Sequence, residues 1–520
     1  MKKLTALLLA GVLLLSLASC SSNNSPTEST ASPDSTKEYK KTITFGWTQQ
    51  TTTLDPQAKQ QTQHNSLYML THETLVSYNE ATGNVDPLLA TAWDVSEDGL
   101  TYTFKLREGV KFSNGETLTA DDVVFTYNRA KESAKAATLV ALCKFIDNVE
   151  AVDANTVKFT LTQKNSGFLI TMGDDSCNGI LNRKAVETDP EKGPYVGTGR
   201  WIVETYNSTD DLVYVRNDNY WGGVLPTEKL VFVLNTDDNS RVINQESGTY
   251  DITNLIRAQF WAEFKKYENQ DLYIYTPSTT ATLWFNTSKE PVNDPYVRLA
   301  IAYAINYEDF IIGAFDGAAE HATTNWGKNQ FGYFDAWDTV GLSAYEYNLE
   351  KAKEYMAKSS HPDGCTITIS CGTKSRANQI VLIQNDLKKI GIEVICDQTD
   401  SATYSANANA GLCMAGISNN SWNATGEAQR VAYTEGSAEN RCQYFSDEIT
   451  ALFDKALAAD DLETAADCYK QIQILTHEDC PMIPLIIQYN AVGMVKGVSG
   501  IVWSTSGSYD LSKVVIEIQK

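Results

Sequence analysis

The chain has 520 residues, of which 42 are Lys or Arg and 65 are Asp or Glu, giving a formal net charge of −23 at pH 7. So acidic a surface argues against nucleic acid or an anionic lipid face as the partner, because both demand a basic one. The length exceeds what a single hydrophobic core serves and predicts two or three lobes.

The chain opens Met1-Lys2-Lys3 and stays apolar from Leu4 through Ala18, the basic and apolar regions of an export signal. That run falls short of the about 20 apolar residues a membrane-spanning helix needs. It ends in Leu17-Ala18-Ser19-Cys20, small residues ahead of one cysteine, a tetrad that resembles the lipobox of bacterial lipoproteins. The resemblance implies a signal peptide over 1–19 and lipidation of Cys20 as the first mature residue; the alternative is a cleaved secretory signal with an incidental cysteine. Serine, threonine, asparagine, proline and charged residues then dominate, so 20–39 is expected to be a flexible tether.

Beyond the tether, strand and helix patterns alternate, which predicts an α/β protein. In LTYTFKL, alternation puts Tyr102, Phe104 and Leu106 on one face of a strand, and Asn114-Gly115 marks a hairpin turn. Thr119 and Asp122, three apart ahead of VVFTYNRA, predict a capped helix start. Ile380, Ile383, Leu387 and Ile390 make a helical stripe that stops at Gly391, and IEVIC follows as a buried strand. A helix from Asp447 carries Ile449, Leu452, Phe453 and Leu457. Another, N-capped by Asp461, has Leu462, Ala465, Ala466, Tyr469 and Ile472 on its buried side.

Nine cysteines follow Cys20: Cys143, Cys177, Cys365, Cys371, Cys396, Cys413, Cys442, Cys468 and Cys480. They are scattered, odd in number and include no Cys-x-x-Cys pair, so mostly buried thiols with one or two bridges at most are expected. His64, His72, His321, His361 and His477 never fall at ligand spacing, so neither metal nor cofactor is expected. Gly-x-Ser-x-Gly and His-Glu-x-x-His are absent. This weighs against an exported hydrolase, although paired carboxylates from distant segments would leave no local trace.

Residues 84–129, NVDPLLATAWDVSEDGLTYTFKLREGVKFSNGETLTADDVVFTYNR, resemble the signature block of the family 5 solute-binding proteins of ABC importers, the oligopeptide, dipeptide and nickel receptor group. TLDPQ at 53–57, VGTGRWIVETY with VRNDNYWGG, QESGTYDI at 245–252, PVNDPYVRLAIAYAINYEDFI from Pro291 and the tail LTHEDCPMIPLIIQYNAVGM agree in order, from about Lys40 to Lys520. The resemblance implies a bilobal α/β fold of the periplasmic-binding-protein type, type II and of the large peptide-receptor subtype, with an extra domain inserted in the first lobe. By analogy lobe I takes 40–75, 190–282 and 489–520, the inserted domain 76–189 and lobe II 283–488. TLWFN and LIIQYN, near Leu283 and Tyr489, would be the hinges. The implied mechanism is closure of the lobes around a solute, most simply a peptide, and recognition of the closed form by a membrane permease with its ATPase subunits. The receptor would be a monomer, tethered to the outer face of the cell membrane at the cell surface or in a periplasmic space.

In the peptide receptors of this family a carboxylate after a Trp-containing strand of lobe II grips the peptide's amino group. The matching stretch here, MAGISNNSWNATGEAQ, offers Asn419, Asn420 and Asn423 instead. An amide supplies no charge, so the charge-assisted bond is lost. Either the ligand is neutral, blocked, cyclic or a sugar, or another acid such as Glu427 serves. Further candidates are Trp47, Thr51 and Thr52 before LDP, Gln61 and Asn65 after it, Trp284 and Asn286 on the hinge strand, Asn325 and Trp326, Trp422 and Tyr489. Receptors of this kind enclose ligands between aromatic faces with a few orienting polar groups. Ordinary packing is the competing account for each tryptophan, and the simpler one for Trp93, Trp201 and Trp221. Arg376, beside Ser375 near a helix start, is a candidate partner for a ligand carboxylate. The same fold could serve an oligosaccharide or a nickel chelate, or report a solute to a signalling partner.

Overall fold

The computed structural model describes residues 36–518 except 50, 59–61, 80–81, 175–176, 207–210, 329, 421–425 and 505–506. The expected signal peptide, Cys20 and nearly all of the tether lie outside the described residues, as do Gln61, Trp422 and Asn423.

Two large mixed sheets organise the chain. Sheet I runs in the order Gln270–Tyr275, Asn490–Val495, Ile252–Thr253, Thr42–Trp47, Lys229–Leu234, Leu212–Arg216 and Trp201–Thr205. Its core face comes from alternation on the central strand: Ile43, Phe45 and Trp47 point inward, and Phe45 stacks on Phe232 with ring centroids 4.3 Å apart. Sheet II runs Ala319–His321, Met482–Gln488, Thr280–Phe285, Ala415–Asn420, Cys365–Cys371 and Ile392–Gln398. A smaller antiparallel sheet, Ala90–Val95, Thr101–Leu106, Thr156–Leu161 and Ile146–Asp153, has its own core with the helix Ala120–Ser133.

Sheet II is covered on both faces. One core gathers Leu283, Phe285, Ile301, Ile369 and Ile383 under the helices Pro295–Ala304, Leu349–Lys358 and Lys374–Leu387. The other gathers Trp284, Trp326, Tyr404, Phe453 and Tyr469 under Ser401–Asn409, Asp447–Leu457 and Leu462–Asp479. Hence every residue of Thr280–Phe285 is buried, as a strand covered on both faces requires.

Where sequence and structure differ, position in the sheet is the reason. TLWFN is not a hinge: it lies on a strand bonded to neighbours on both sides, and the chain passes between sheets at 276–279 instead. IEVIC is an edge strand, so its outward face is open and Ile395 is 51% exposed. Leu462 sits at the first helical position after its Asp461 cap and faces outward, 37% exposed. The capping pair is present, since the Thr119 N–H and hydroxyl both donate to Asp122 at 3.0 Å. None of the nine described cysteines is in a disulfide, and seven of them are buried. Burial pushes the Cys143 thiol up to about 11 and that of Cys442 to about 12.

Candidate functional site

The chain crosses between the sheets twice, from Tyr275 to Thr280 and from Gln488 to Asn490. Register fixes which ends face each other. In sheet II, Thr280 pairs with Asn420 and Ala281 with Asn419, so the carboxyl end of Ala415–Asn420 lies beside the first crossover. Cys365–Cys371 is parallel to that strand and ends at the same edge. In sheet I, Tyr275 pairs with Asn490. Thr42–Trp47 is parallel to Ile252–Thr253, itself antiparallel to Asn490–Val495, so Trp47 is followed by Thr51 and Thr52 at that sheet's crossover edge. The carboxyl ends of parallel strands are where open α/β sheets hold ligands.

On the sheet II side, Arg376 lies in the first turn of Lys374–Leu387, which is N-capped by Thr373. Its guanidinium donates to Gln379 Oε1 at 2.7 Å and to Asn419 Oδ1. Two residues separately suspected from sequence are therefore in contact. Both acceptors are neutral amides, and among the described residues no carboxylate pairs with Arg376. The side chain is half-buried, and burial pulls its pKa below the ordinary arginine value.

At the second crossover, the Tyr489 N–H donates to Ala318 O at 3.0 Å and the Tyr489 hydroxyl to Glu320 Oε2 at 3.2 Å. Lys328 Nζ holds the other oxygen of Glu320 at 3.1 Å. At the first crossover, Gly327 lies so close that a Cβ there would sit 1.9 Å from Ser278 O. This brings Asn325 and Trp326 to the junction, and Trp326 O accepts from Thr280 Oγ1 at 3.4 Å.

The structure places several candidates within the cores or in local hydrogen bonds. Trp284 and Trp326 are 2% and 1% exposed in the second core of sheet II, and Trp284 covers Gly416, where a Cβ would fall 2.6 Å from the indole. Asn286 spends its amide locally: its NH2 donates to Gly411 O at 3.0 Å and its oxygen accepts from Ser288 N–H and Oγ. Asn325 is partly buried against Met482 O. Trp47 is buried edge-on against Phe232. Thr51 is buried and its carbonyl accepts from the Tyr206 hydroxyl at 2.9 Å, Thr52 is exposed, and Asn65 is buried with no partner for Oδ1 among the described residues. Asn420 ends its strand opposite Thr280. Glu427, the alternative acid, pairs with Arg430 Nε at 2.5 Å, while Arg430 also holds Asp454 at 2.7 Å. Burial outweighs that pull and lifts the Glu427 carboxyl to about 7.

Sequence reasoning missed Gln379, one turn after Arg376, and the Glu320–Lys328 pair. It also missed an aromatic group near the crossover end of sheet I. Trp503 stacks on Tyr273 with centroids 4.1 Å apart, next to Tyr275 and Tyr509. Only the Tyr273/Tyr275 alternation hinted at it; Trp503 comes from the distant carboxyl-terminal segment. Among the described residues, no group of three or more His, Cys, Asp or Glu is placed to hold a metal ion.

Two sheets joined by two crossovers, with polar groups at the facing edges, describe a bilobal solute-binding protein. The chain belongs to the bacterial extracellular solute-binding proteins, family 5, whose middle region matches residues 84–438. It is similar to heme-binding protein A of Haemophilus influenzae, 27% identical over 98% of this chain and 98% of that protein. It is also similar to the dipeptide-binding protein of Escherichia coli K12, 27% identical over 86% of this chain and 89% of that one. The solved structure of HbpA2 from Haemophilus parasuis superposes with a TM-score of 0.82 at 25% identity, covering 92% of this chain and 100% of that one. These relatives are receptors, and the chain is a binding protein rather than an enzyme. No helix among the described residues is long and apolar enough to cross a membrane.

Proposed function

We propose that this protein captures a short peptide through its free carboxylate and, anchored by a lipid on Cys20 outside the cytoplasm, delivers it to an ABC permease. The domain division read from sequence is retained, with lobe II opening at the 276–279 crossover. The observation that carries the ligand class is the charge state around Arg376. A half-buried guanidinium held between two amides is an unneutralised cation at the crossover edge, and the first turn of its helix adds positive potential. A planar carboxylate matches its remaining donors. Among the described residues, the candidates for the amine end are already engaged: Asn419 Oδ1 accepts from Arg376 and Glu427 pairs with Arg430. The relative named for dipeptides supports the peptide class, and the Leu17–Cys20 tetrad supports the anchor.

Calorimetric titration of dialanine and trialanine, as free acids and as carboxyl-terminal amides, tests the reading. The acids are expected to bind and the amides to bind far more weakly. Arg376→Gln should weaken the acids at least about 30-fold, or about 2 kcal/mol. Asn419→Asp, which sets a carboxylate against the guanidinium, should weaken them too. Equal binding of acids and amides would overturn the assignment and favour a neutral or blocked ligand.

A further inference from the structure

The inserted domain also touches sheet II's side of the molecule, and the form of that contact is specific. The loop 164–167 lies between Thr156–Leu161 and the short helix Phe168–Met172. From it, the Ser166 N–H donates to Leu457 O at 3.0 Å and the Ser166 hydroxyl to Ala456 O at 2.8 Å. Ala456 and Leu457 are the last two residues of the helix Asp447–Leu457. Terminal helix carbonyls lack intrahelical donors and carry the negative end of the macrodipole. One serine thus completes, from another domain, the cap of a helix whose own chain reaches Ala456 O through Ala459 N–H at 3.3 Å, and supplies the donor for Leu457 O. Lys164 adds a cation at the same end by pairing with Asp460, which is 92% exposed.

The loop is built in advance. Asn165 is 5% exposed, its side-chain oxygen accepts from Gly167 N–H at 3.0 Å and its carbonyl from Phe168 N–H at 3.1 Å. The stem of Lys164 lies along Gly99, where a Cβ would be 3.1 Å away. The captured helix also carries Asp454, which holds Arg430 of the 426–432 turn just beyond the strand that ends in Asn419 and Asn420.

We infer that loop 164–167 is a closure latch: by capping the Asp447–Leu457 helix across the domain boundary, it biases the receptor toward its closed arrangement even without solute. The inference rests on the two-lobe reading and adds a device to it. Opening would return the Leu457 carbonyl, the Ser166 hydroxyl and one ion pair to water while Ala456 O keeps its bond from Ala459 N–H, a modest cost that lets the latch bias the equilibrium without locking it.

The test compares the mature chain, without added solute, with Lys164→Glu/Ser166→Ala and with the triple variant that adds Asp460→Lys. Small-angle scattering should show a larger radius of gyration for the double variant, and the charge swap should recover most of the change. Hydrogen exchange at the Ser166 amide should quicken about five- to tenfold in the double variant and slow again in the swap. Ser166→Ala alone should move both readouts in the same direction by less, which covers a double variant that fails to fold. Unchanged radius and exchange would overturn the latch, as would faster exchange with no expansion. If scattering of the double variant instead failed to contract with dialanine or trialanine that calorimetry shows to be bound, lobe closure itself would fall.

Discussion

The region proposed as an inserted domain, the smaller sheet with its core, meets the rest of the described residues in two places of opposite character. Its joint with sheet I is dry and multiply tied. Arg107 stacks on Trp221 at 4.3 Å and the Ile180 N–H donates to Glu73 O at 3.0 Å; on the lobe I side the Glu73 carboxylate, 9% exposed, holds that partner in place by accepting from the Trp221 indole N–H at 2.9 Å and the Tyr220 hydroxyl at 2.5 Å. Asp55 of TLDPQ takes two bonds from Arg129 of VVFTYNR, at 2.6 and 3.3 Å, and Gln57 takes a third at 2.6 Å. Its seam with the Asp447–Leu457 helix has two hydrogen bonds and an ion pair with one fully solvated partner. Buried, doubly satisfied groups make a permanent weld; solvated caps make a contact that can be exchanged for water.

The comparison is broken most directly at the weld. Glu73→Ala leaves two part-buried donors without that acceptor, so urea unfolding is expected to show a loss of about 2–4 kcal/mol. Glu73→Gln, which retains one acceptor, should lose less. Burial already lifts the Glu73 carboxyl above its ordinary pKa, against the pull of its donors. Arg129→Ala strips Asp55 of a two-pronged partner whose side chains are 21% and 18% exposed. Partial exposure moderates that loss to about 2–3 kcal/mol. If either variant unfolded at the wild-type urea midpoint, the weld would be no more than another seam.

Much of this weld was legible in sequence as family blocks, and the structure supplies their physics: TLDPQ and VVFTYNR are conspicuous because Asp55 and Arg129 meet. Arg298 of the PVNDPYVR block is similar, a buried guanidinium that donates to the carbonyls of Val292, Asn293, Asp479 and Cys480. The fold class and alternation of elements were equally readable, because periodicity is local. The site was less so. Trp284 and Asn286 read as ligand walls because a strand buried on both faces has no polar side to betray which residues pack. Arg376 and Asn419 were named independently, but nothing local ties positions 43 residues apart, one in the first turn of a helix and the other near the end of a strand. The seam left no sequence mark, since a serine that caps a distant helix looks like any loop serine.

Between weld and seam lies the ion group that holds the captured helix to the 426–432 turn. Glu427 has a folded pKa of about 7 against an ordinary 4.5. The folded state therefore keeps its proton to higher pH than the unfolded chain does. Its contribution is fully present below about pH 4.5 and is lost as pH rises through 7, so this group makes the fold less stable across that window, by about 3 kcal/mol. Glu427→Gln should remove that part of the slope in urea midpoints measured at pH 4.5, 6 and 7.5. An unchanged slope would mean that Arg430 keeps the carboxyl ionised throughout.

The smallest expected effect sharpens the comparison most. Ser166→Ala removes one hydrogen bond to a helix end that water can reach once the seam parts, and Lys164→Ala removes a surface ion pair worth about 0.2–1 kcal/mol. Neither group belongs to any of the four cores, so thermal unfolding should shift by no more than about 2 °C, whereas Glu73→Ala should move it several-fold further. Salt separates the two regions again. Added to 0.5 M, it screens Lys164–Asp460, where Asp460 is 92% exposed, and leaves the Glu73 group untouched. Exchange at the Ser166 amide should therefore rise with salt while the melting temperatures of wild type and Lys164→Ala stay together. A seam variant that melted like a weld variant would show that the inserted domain is fused to both lobes, leaving nothing free to move between them.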